Sequence, residues 1–339
     1  MKPGTILGFT GHVFTETYSE FGLVQPDKSA SELERRYALR DSAFVEVGDS
    51  RVHYAEQGAP ENPTLLMLHG TYSSLHTWNG WVDELADDFH LVRLDLPGFG
   101  LTGPRHSGEI TFEYMIDTVG AFADALGLTD VTLVGNSLGG GIAWRVSLDR
   151  PDLVSRLVLI DAGGASLLAR LAGNFSSMGN DFLPRYITPR VAVRLVIRDA
   201  YADKSKVTPE LVRRYHDLLL RPGNRRSVVE IARNYATDHP VDEADELYDP
   251  RAPGLPSTYD PSPEILDGYD IGDVSVPTQF QWGEEDGWLP VHFGRALASK
   301  VAGHQFLLYD GVGHVPMEES PVRTARDAAR FVRGEDTAE

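Results

Sequence analysis

Apolar positions along the chain follow two different periods, and the two alternate. Short apolar runs suited to buried strands fall at 64–68, 91–96, 131–134, 157–160, 278–282 and 305–309. Stretches with helical spacing lie between them, at 75–86, 112–126 (ended by Gly127), 138–148 and 321–333. Residues 44–47 and 52–56 alternate in the strand period around Gly48-Asp49-Ser50, which predicts a hairpin. Strands that alternate with helices predict an α/β fold: a mostly parallel central β-sheet flanked by helices on both faces.

The alternation stops at about Gly163 and resumes near residue 274. Helical patterns occupy 189–199, 208–220 and 226–237, followed by a polar stretch carrying Pro250, Pro253, Pro256, Pro261 and Pro263. A helical block between two strands of one sheet predicts an inserted lid, or cap, over 164–273. The core is then expected in two pieces, 44–163 and 274–339. Ligands of open α/β sheets bind at the C-terminal ends of the strands, where such a lid would sit. Residues 1–43 read as a leader wrapped on the surface. A short helix is expected at 29–39, with Ser31 as its N-cap and Glu34 three residues later.

Composition narrows the chemistry. A chain of 339 residues, 42% apolar and 24% charged, is an ordinary globular size and mixture. It contains no cysteine, so disulfides and thiolate chemistry are excluded. The net charge of −19 disfavours nucleic acid as a partner, because a phosphate backbone would be repelled. No stretch reads as a signal peptide or a membrane span, and a cytoplasmic location is the expectation. Apolar area on the lid leaves a homodimer open.

The sharpest chemical signal is Gly135-Asn136-Ser137-Leu138-Gly139, a G-x-S-x-G run between an expected strand and an expected helix. A nucleophilic serine needs a tight turn that lifts it clear of the strand, and small neighbours let strand and helix close around it. The hydroxyl also needs a base. Of eleven histidines, His314 in Gly311-Val312-Gly313-His314 stands just after the last expected strand, in a loop able to present an imidazole. His304 precedes that strand, and His292 begins a helix. The base needs an acid to orient it. Asp286, in Trp282-Gly283-Glu284-Glu285-Asp286, follows a strand; Glu284 and Glu285 are its neighbours, and Asp161 ends another strand. The chain order Ser137, Asp286, His314 matches one known arrangement of such groups. Expected oxyanion donors are the N–H groups of Leu138 and Thr71, the latter in the loop after 64–68. Gly70 permits close backbone approach to a substrate. Tyr72, Ser73, Trp78 and Trp288 are candidate pocket residues, with core packing the equal alternative for Trp78.

Gly98-Phe99-Gly100-Leu101-Thr102-Gly103 matches the dinucleotide fingerprint G-x-G-x-x-G. A true fingerprint opens a helix at once, whereas Pro104 and Gly108 follow here, so a glycine-rich turn is the better reading. No phosphate-loop, zinc or calcium motif occurs in the sequence, and no cofactor or metal is expected.

Five pieces in order carry a family resemblance: Leu68-His69-Gly70, Asp95-Leu96-Pro97-Gly98-Phe99-Gly100, Gly135-Asn136-Ser137-Leu138-Gly139-Gly140, Trp282-Gly283-Glu284-Glu285-Asp286, and Gly313-His314-Val315-Pro316-Met317-Glu318-Glu319. Over about 44–333 the chain resembles the α/β-hydrolase fold superfamily. The resemblance implies roles for Ser137, Asp286 and His314 in forming and hydrolysing an acyl-enzyme. Serine at 137 disfavours the aspartate-nucleophile dehalogenases and epoxide hydrolases. Carbon–carbon hydrolases of aromatic degradation usually carry His-Gly-x-Gly-Pro and a tryptophan after the histidine. This chain has His69-Gly70-Thr71-Tyr72 and His314-Val315. The resemblance therefore tilts toward a serine hydrolase of a small or medium carboxylic ester, with a small-molecule substrate. Carbon–carbon, amide or lactone hydrolysis on the same groups is the rival reading, and a non-catalytic ligand receptor is the rival from another class.

Overall fold

The computed structural model describes residues 25–163, 188–238, 265–266 and 269–335. Eight strands form one sheet: β1 (Ser42–Val47), β2 (Ser50–Gln57), β3 (Thr64–Leu68), β4 (His90–Leu94), β5 (Val131–Asn136), β6 (Val154–Ile160), β9 (Thr278–Gly283) and β10 (Gln305–Tyr309). Their order is β1-β2-β4-β3-β5-β6-β9-β10. The β1–β2 hairpin and the β2–β4 pair are antiparallel, and every other pair is parallel. A two-stranded piece, β7 (Ile265–Leu266) with β8 (Tyr269–Asp270), stands apart from the sheet.

The apolar runs become strands because both faces of the sheet are covered. Leu66 and Leu68 point into one core, and Leu65 and Met67 into the other. The split repeats on β6, where Leu157 and Leu159 face the first core and Val158 and Ile160 the second. Helices α3 (Phe112–Leu126), α4 (Leu138–Asp149) and α8 (Val291–Lys300) pack on the first face; α2 (Asn79–Leu85) and α10 (Pro321–Arg333) pack on the second. Each fully buried leucine or valine contributes roughly 1.5–3 kcal/mol.

Helices α5 (Arg190–Ala200), α6 (Pro209–Leu219) and α7 (Asn224–Asp238) lie in the chain between β6 and β9. Most of the expected proline-rich stretch, and residues 164–187, fall outside the described residues. Helix α1 (Ala30–Tyr37) belongs to the N-terminal segment, whose residues 1–24 are also outside them. Of the expected leader, the described part is anchored: Leu33 is fully buried with Leu101 and Leu218, and Lys28 pairs with Asp217 of α6 at 2.8 Å.

Three expectations need correction. The N-cap of α1 is Ser29, whose Oγ accepts from Glu32 N at 3.2 Å, because the chain turns helical two residues earlier than the Ser31 reading requires. The expected helix at 75–86 divides into a 3₁₀ turn, Leu75–Trp78, and α2. Leu75 N is held by the Asp95 carboxylate at 2.7 Å, and all four residues of the turn are buried. Trp78 is core, not pocket: it is fully buried edge-on to Trp81, with ring centroids 5.3 Å apart, and does not line the cavity beside Ser137.

Candidate active site

Five candidate residues stand just beyond the C-terminal ends of parallel strands. Thr71 follows β3, Ser137 follows β5, Asp161 follows β6, Asp286 follows β9 and His314 follows β10. Ser137 is the cap between β5 and α4, with φ 51° and ψ −119°, a strained backbone for a residue with a side chain. Its N–H donates to Ile160 O at 3.0 Å, and its carbonyl accepts from Gly140 N at 2.9 Å and Gly141 N at 3.1 Å. The glycines are demanded by space. A Cβ on Gly135 would lie 2.2 Å from Gly139 O, and one on Gly139 would lie 2.4 Å from Leu68 O. A Cβ on Gly70 would approach Asn136 Oδ1 to 2.8 Å and Ser137 Cβ to 3.1 Å, so the loop after β3 rests directly on the serine turn.

His314 and Asp286 are joined. His314 Nδ1 and Asp286 Oδ2 are 2.7 Å apart with both side chains buried, and the other carboxylate oxygen accepts from Trp288 N at 2.8 Å and Leu289 N at 3.0 Å. The Asp286 carboxyl is thus met by His314 Nδ1 and two backbone N–H donors. The Trp288 ring lies 4.9 Å from the His314 ring and is steadied by its Nε1–H donating to Asp199 Oδ2 at 2.8 Å. His314 Nε2 is buried and makes no hydrogen bond, so the Ser137 hydroxyl and this nitrogen share a cavity wall without being bonded. Such bonds often tighten only when substrate arrives.

Residues that the sequence reading did not single out fix these loops. Asn136 Nδ2 bridges Ile160 O and His314 O, both at 3.1 Å, and so sets the spacing between the serine turn and the histidine loop. His314 N donates to Ala200 O at 2.7 Å. Glu319 accepts from Gly313 N at 2.7 Å, from Ala202 N at 2.9 Å and from Asp203 N at 3.0 Å. Nothing at position 136 marks it beforehand, since the motif leaves that place open. The Glu318-Glu319 pair was visible as part of the histidine motif but not as a clamp.

His69 positions the loop after β3. Leu96 N donates to its Nε2 at 3.0 Å, so the proton must sit on Nδ1, which donates to Gly70 O at 2.8 Å. Burial lowers the pKa of this histidine, consistent with the neutral tautomer. A second row, Ser42 Oγ to His53 Nε2 and His53 Nδ1 to Asp95 Oδ2, both 2.7 Å, imitates a catalytic relay on the antiparallel side. It lines neither of the two main cavities. Asp95 instead binds Leu75 N and Leu101 N at 2.7 Å each, and a Cβ on Gly100 would collide with its carboxylate at 2.1 Å. The dinucleotide-like glycines are thus a turn wrapped around Asp95, with no helix opening on them.

Asp161 takes a place the sequence left as an alternative. It is fully buried at φ 40°, and its carboxyl lies with Asp286 and His314 in a group whose ligand-type atoms are all within 4.8 Å of one another. Burial, then the charge of Asp286, raises its pKa well above the ordinary value. Within the trio, the 2.7 Å contact already commits an Asp286 oxygen and His314 Nδ1 to each other. Glu284 and Glu285 are exposed and support the strand end through their backbone, donating to Tyr309 O and Val312 O. His304 binds Val301 O at 2.8 Å, and His292 lies in α8; neither lines the cavity beside Ser137.

The cavity has a volume of about 240 Å³. Gly70, Thr71, Tyr72, Ser73, Ser137, Trp288 and His314 line it from the sheet side, while Val193, Ile197, Tyr201, Tyr215 and Val228 do so from the inserted helices. Tyr72 has φ 64°, and burial pushes its hydroxyl up to about 12, so it stays neutral. Arg225 also reaches the wall, where it pairs with Asp27 and donates to Gln25 O at 2.9 Å.

A Mycobacterium tuberculosis protein of uncharacterised function is 27% identical over 286 residues, covering 83% of this chain and 78% of that one. The 2-hydroxymuconate semialdehyde hydrolase of a Pseudomonas species is 25% identical, covering 85% of this chain and 92% of its own. Among solved structures, a thermophilic esterase from Thermogutta terrifontis superposes with a TM-score of 0.63 at 20% identity, covering 86% of this chain and 98% of that one, a likeness of fold. Sheet order, the strained turn at Ser137 and a family model for the alpha/beta hydrolase fold that matches residues 63–321 agree, and the chain belongs to the alpha/beta hydrolase family.

Proposed function

We propose that the protein is a serine hydrolase of small or medium carboxylic esters, working through an acyl-enzyme. The observation that carries this reading is the His314–Asp286 pair opening, with Ser137, onto one largely apolar cavity. His314 Nε2, which has no other partner, takes the Ser137 proton as Oγ bonds to the ester carbonyl carbon. The N–H of Leu138 has no intrahelical acceptor, being first in α4; with that of Thr71 it holds the oxyanion. The carbon–oxygen bond to the alcohol breaks, and the leaving oxygen receives the proton from His314. Water, deprotonated by His314, then splits the acyl ester and returns the serine. The insertion over 164–273 acts as the cap that shapes the pocket. A neutral ester fits because, among the described residues, the Lys or Arg side chain at the wall is Arg225, already paired with Asp27.

Carbon–carbon hydrolysis is the second reading, favoured by the likeness to the Pseudomonas semialdehyde hydrolase. A panel of p-nitrophenyl esters and dienoate ketones separates the two. For either, Ser137→Ala should lower kcat by roughly four or more orders of magnitude with the fold intact. It should also abolish labelling by a fluorophosphonate probe. Unchanged turnover in that variant overturns the assignment of Ser137, and absence of labelling in the wild type favours a non-catalytic binding protein.

A further inference from the structure

We propose that Asp161 is a positioning residue of the relay, a carboxylic acid that donates its proton in a hydrogen bond to the Asp286 carboxylate. This inference rests on the triad reading above. It starts from an imbalance in hydrogen-bond supply. Asp286 is given three donors: His314 Nδ1–H, Trp288 N–H and Leu289 N–H. Asp161 is given one, Gly283 N–H, which reaches its Oδ1 at 3.0 Å. Its Oδ2 is buried with no donor facing it. Two carboxylates this close cannot both stay ionised out of water. The one with fewer donors keeps the proton.

The surroundings agree from every side. Glu319 of α9 (Pro316–Glu319) adds negative charge, which raises the Asp161 pKa further, and Tyr309 of β10 is neutral there because burial pushes its hydroxyl far up. His314 is the cation the relay forms, and it is bound to Asp286. The backbone is also set for this contact. Asp161 adopts φ 40°, and its N–H is fixed to Gln281 O at 2.9 Å, so the side chain is held at the foot of the Asp286 loop. A neutral donor orients Asp286 without adding a second charge. It also withdraws electron density from the carboxylate, so the imidazolium is stabilised less than by an unshared anion.

The protonation state dictates the signs in a variant series. Asp161→Asn keeps a donor at the same place and carries no charge. The acid limb of its kcat/KM profile should stay within about 0.3 pH unit of the wild type. Asp161→Ala removes the donor, so the limb should move upward by roughly half a unit, with KM little changed. If Asp161 were ionised, both variants would lose a negative charge near the imidazole and the limb would move downward. A downward move in either variant, or an unmoved limb in Asp161→Ala, overturns the proposal. Infrared spectroscopy of the folded wild type gives a readout that needs no activity and survives any folding failure. A carboxylic-acid carbonyl band should be present at neutral pH and shift on ¹³C-aspartate labelling; its absence overturns the proposal. If Ser137→Ala stays active while the band is present, the triad reading fails and the protonated Asp161 stands.

Discussion

At the scale of single residues, space and hydrogen-bond supply decide more than residue type. Gly70 illustrates space. Adding one methyl group there would press on Asn136 Oδ1 at 2.8 Å and Ser137 Cβ at 3.1 Å, the two residues at the strained turn where β5 ends. Gly70→Ala should therefore reduce kcat about 10- to 100-fold while lowering stability by roughly 1–3 kcal/mol, as steady-state kinetics and urea unfolding would register. Trp78→Phe should lower stability alone. Trp78 packs against Trp81 away from the cavity, so truncation costs core contacts and leaves kcat close to the wild type. The sequence offered no way to part these two residues. Both follow the same strand, and only the fold shows that the 3₁₀ turn rotates the tryptophan inward. Ser137, Asp286 and His314 were legible because each sits in a motif at a strand end. Asp161 was legible as an acid at a strand end, but its proximity to Asp286 depends on β6 and β9 being neighbours, which chain order does not state.

At the scale of elements, the inserted helices are fastened to the histidine loop. Ala200 O, at the end of α5, receives His314 N–H, and the three residues after it are held by Glu318 and Glu319. Glu318 accepts from the hydroxyls of Tyr201, Thr77 and Tyr215, the last at 2.8 Å. Since Tyr215 donates to that carboxylate, the 3.2 Å contact with Ser73 must have Ser73 as donor. Both tyrosines line the cavity, and their hydroxyls are committed to Glu318. Burial, then the Glu318 charge, raises both phenols and keeps them neutral donors. Glu318→Ala should strand these hydroxyls and loosen the pocket wall. The expected outcome is a KM increase of about tenfold with a smaller loss in kcat, together with faster amide exchange over 190–219. Helix boundaries inside this region were readable from periodicity because each helix buries one face, as α6 does with Val212 and Leu218. Their attachment was not readable, because it runs through backbone atoms and through glutamates more than a hundred residues away. The sheet was the most legible part: β3 falls where its apolar run places it, since two-sided burial leaves no polar alternation to confuse.

For the whole molecule, two buried aspartates set opposite responses to pH. Asp95 ties β2, the turn after β3 and the turn after β4 together through His53, Leu75 and Leu101. Burial pushes its carboxyl up, but the histidine beside it outweighs burial, and the net position lies well below the usual carboxylate range. A group depressed on folding lends stability above its unfolded pKa of 3.8 and loses it as pH falls toward the folded value. Asp95→Asn should therefore cost roughly 3 kcal/mol at pH 7, and the gap to the wild type should narrow as the pH is taken below about 4. Asp161 is raised on folding, so its contribution is fully present below 3.8 and declines as pH rises toward the folded value. Asp161→Asn should then be near neutral in acid and increasingly stabilising relative to the wild type as the pH climbs. Comparing each variant with the wild type at the same pH cancels the repulsion among the many other acids of a chain with net charge −19. Urea unfolding of both variants between about pH 3.5 and pH 9 tests the pair of signs together. Parallel slopes would mean that the two carboxyls share one protonation state, and the division between an anionic fastener on the antiparallel side and a protonated donor behind the relay would fail.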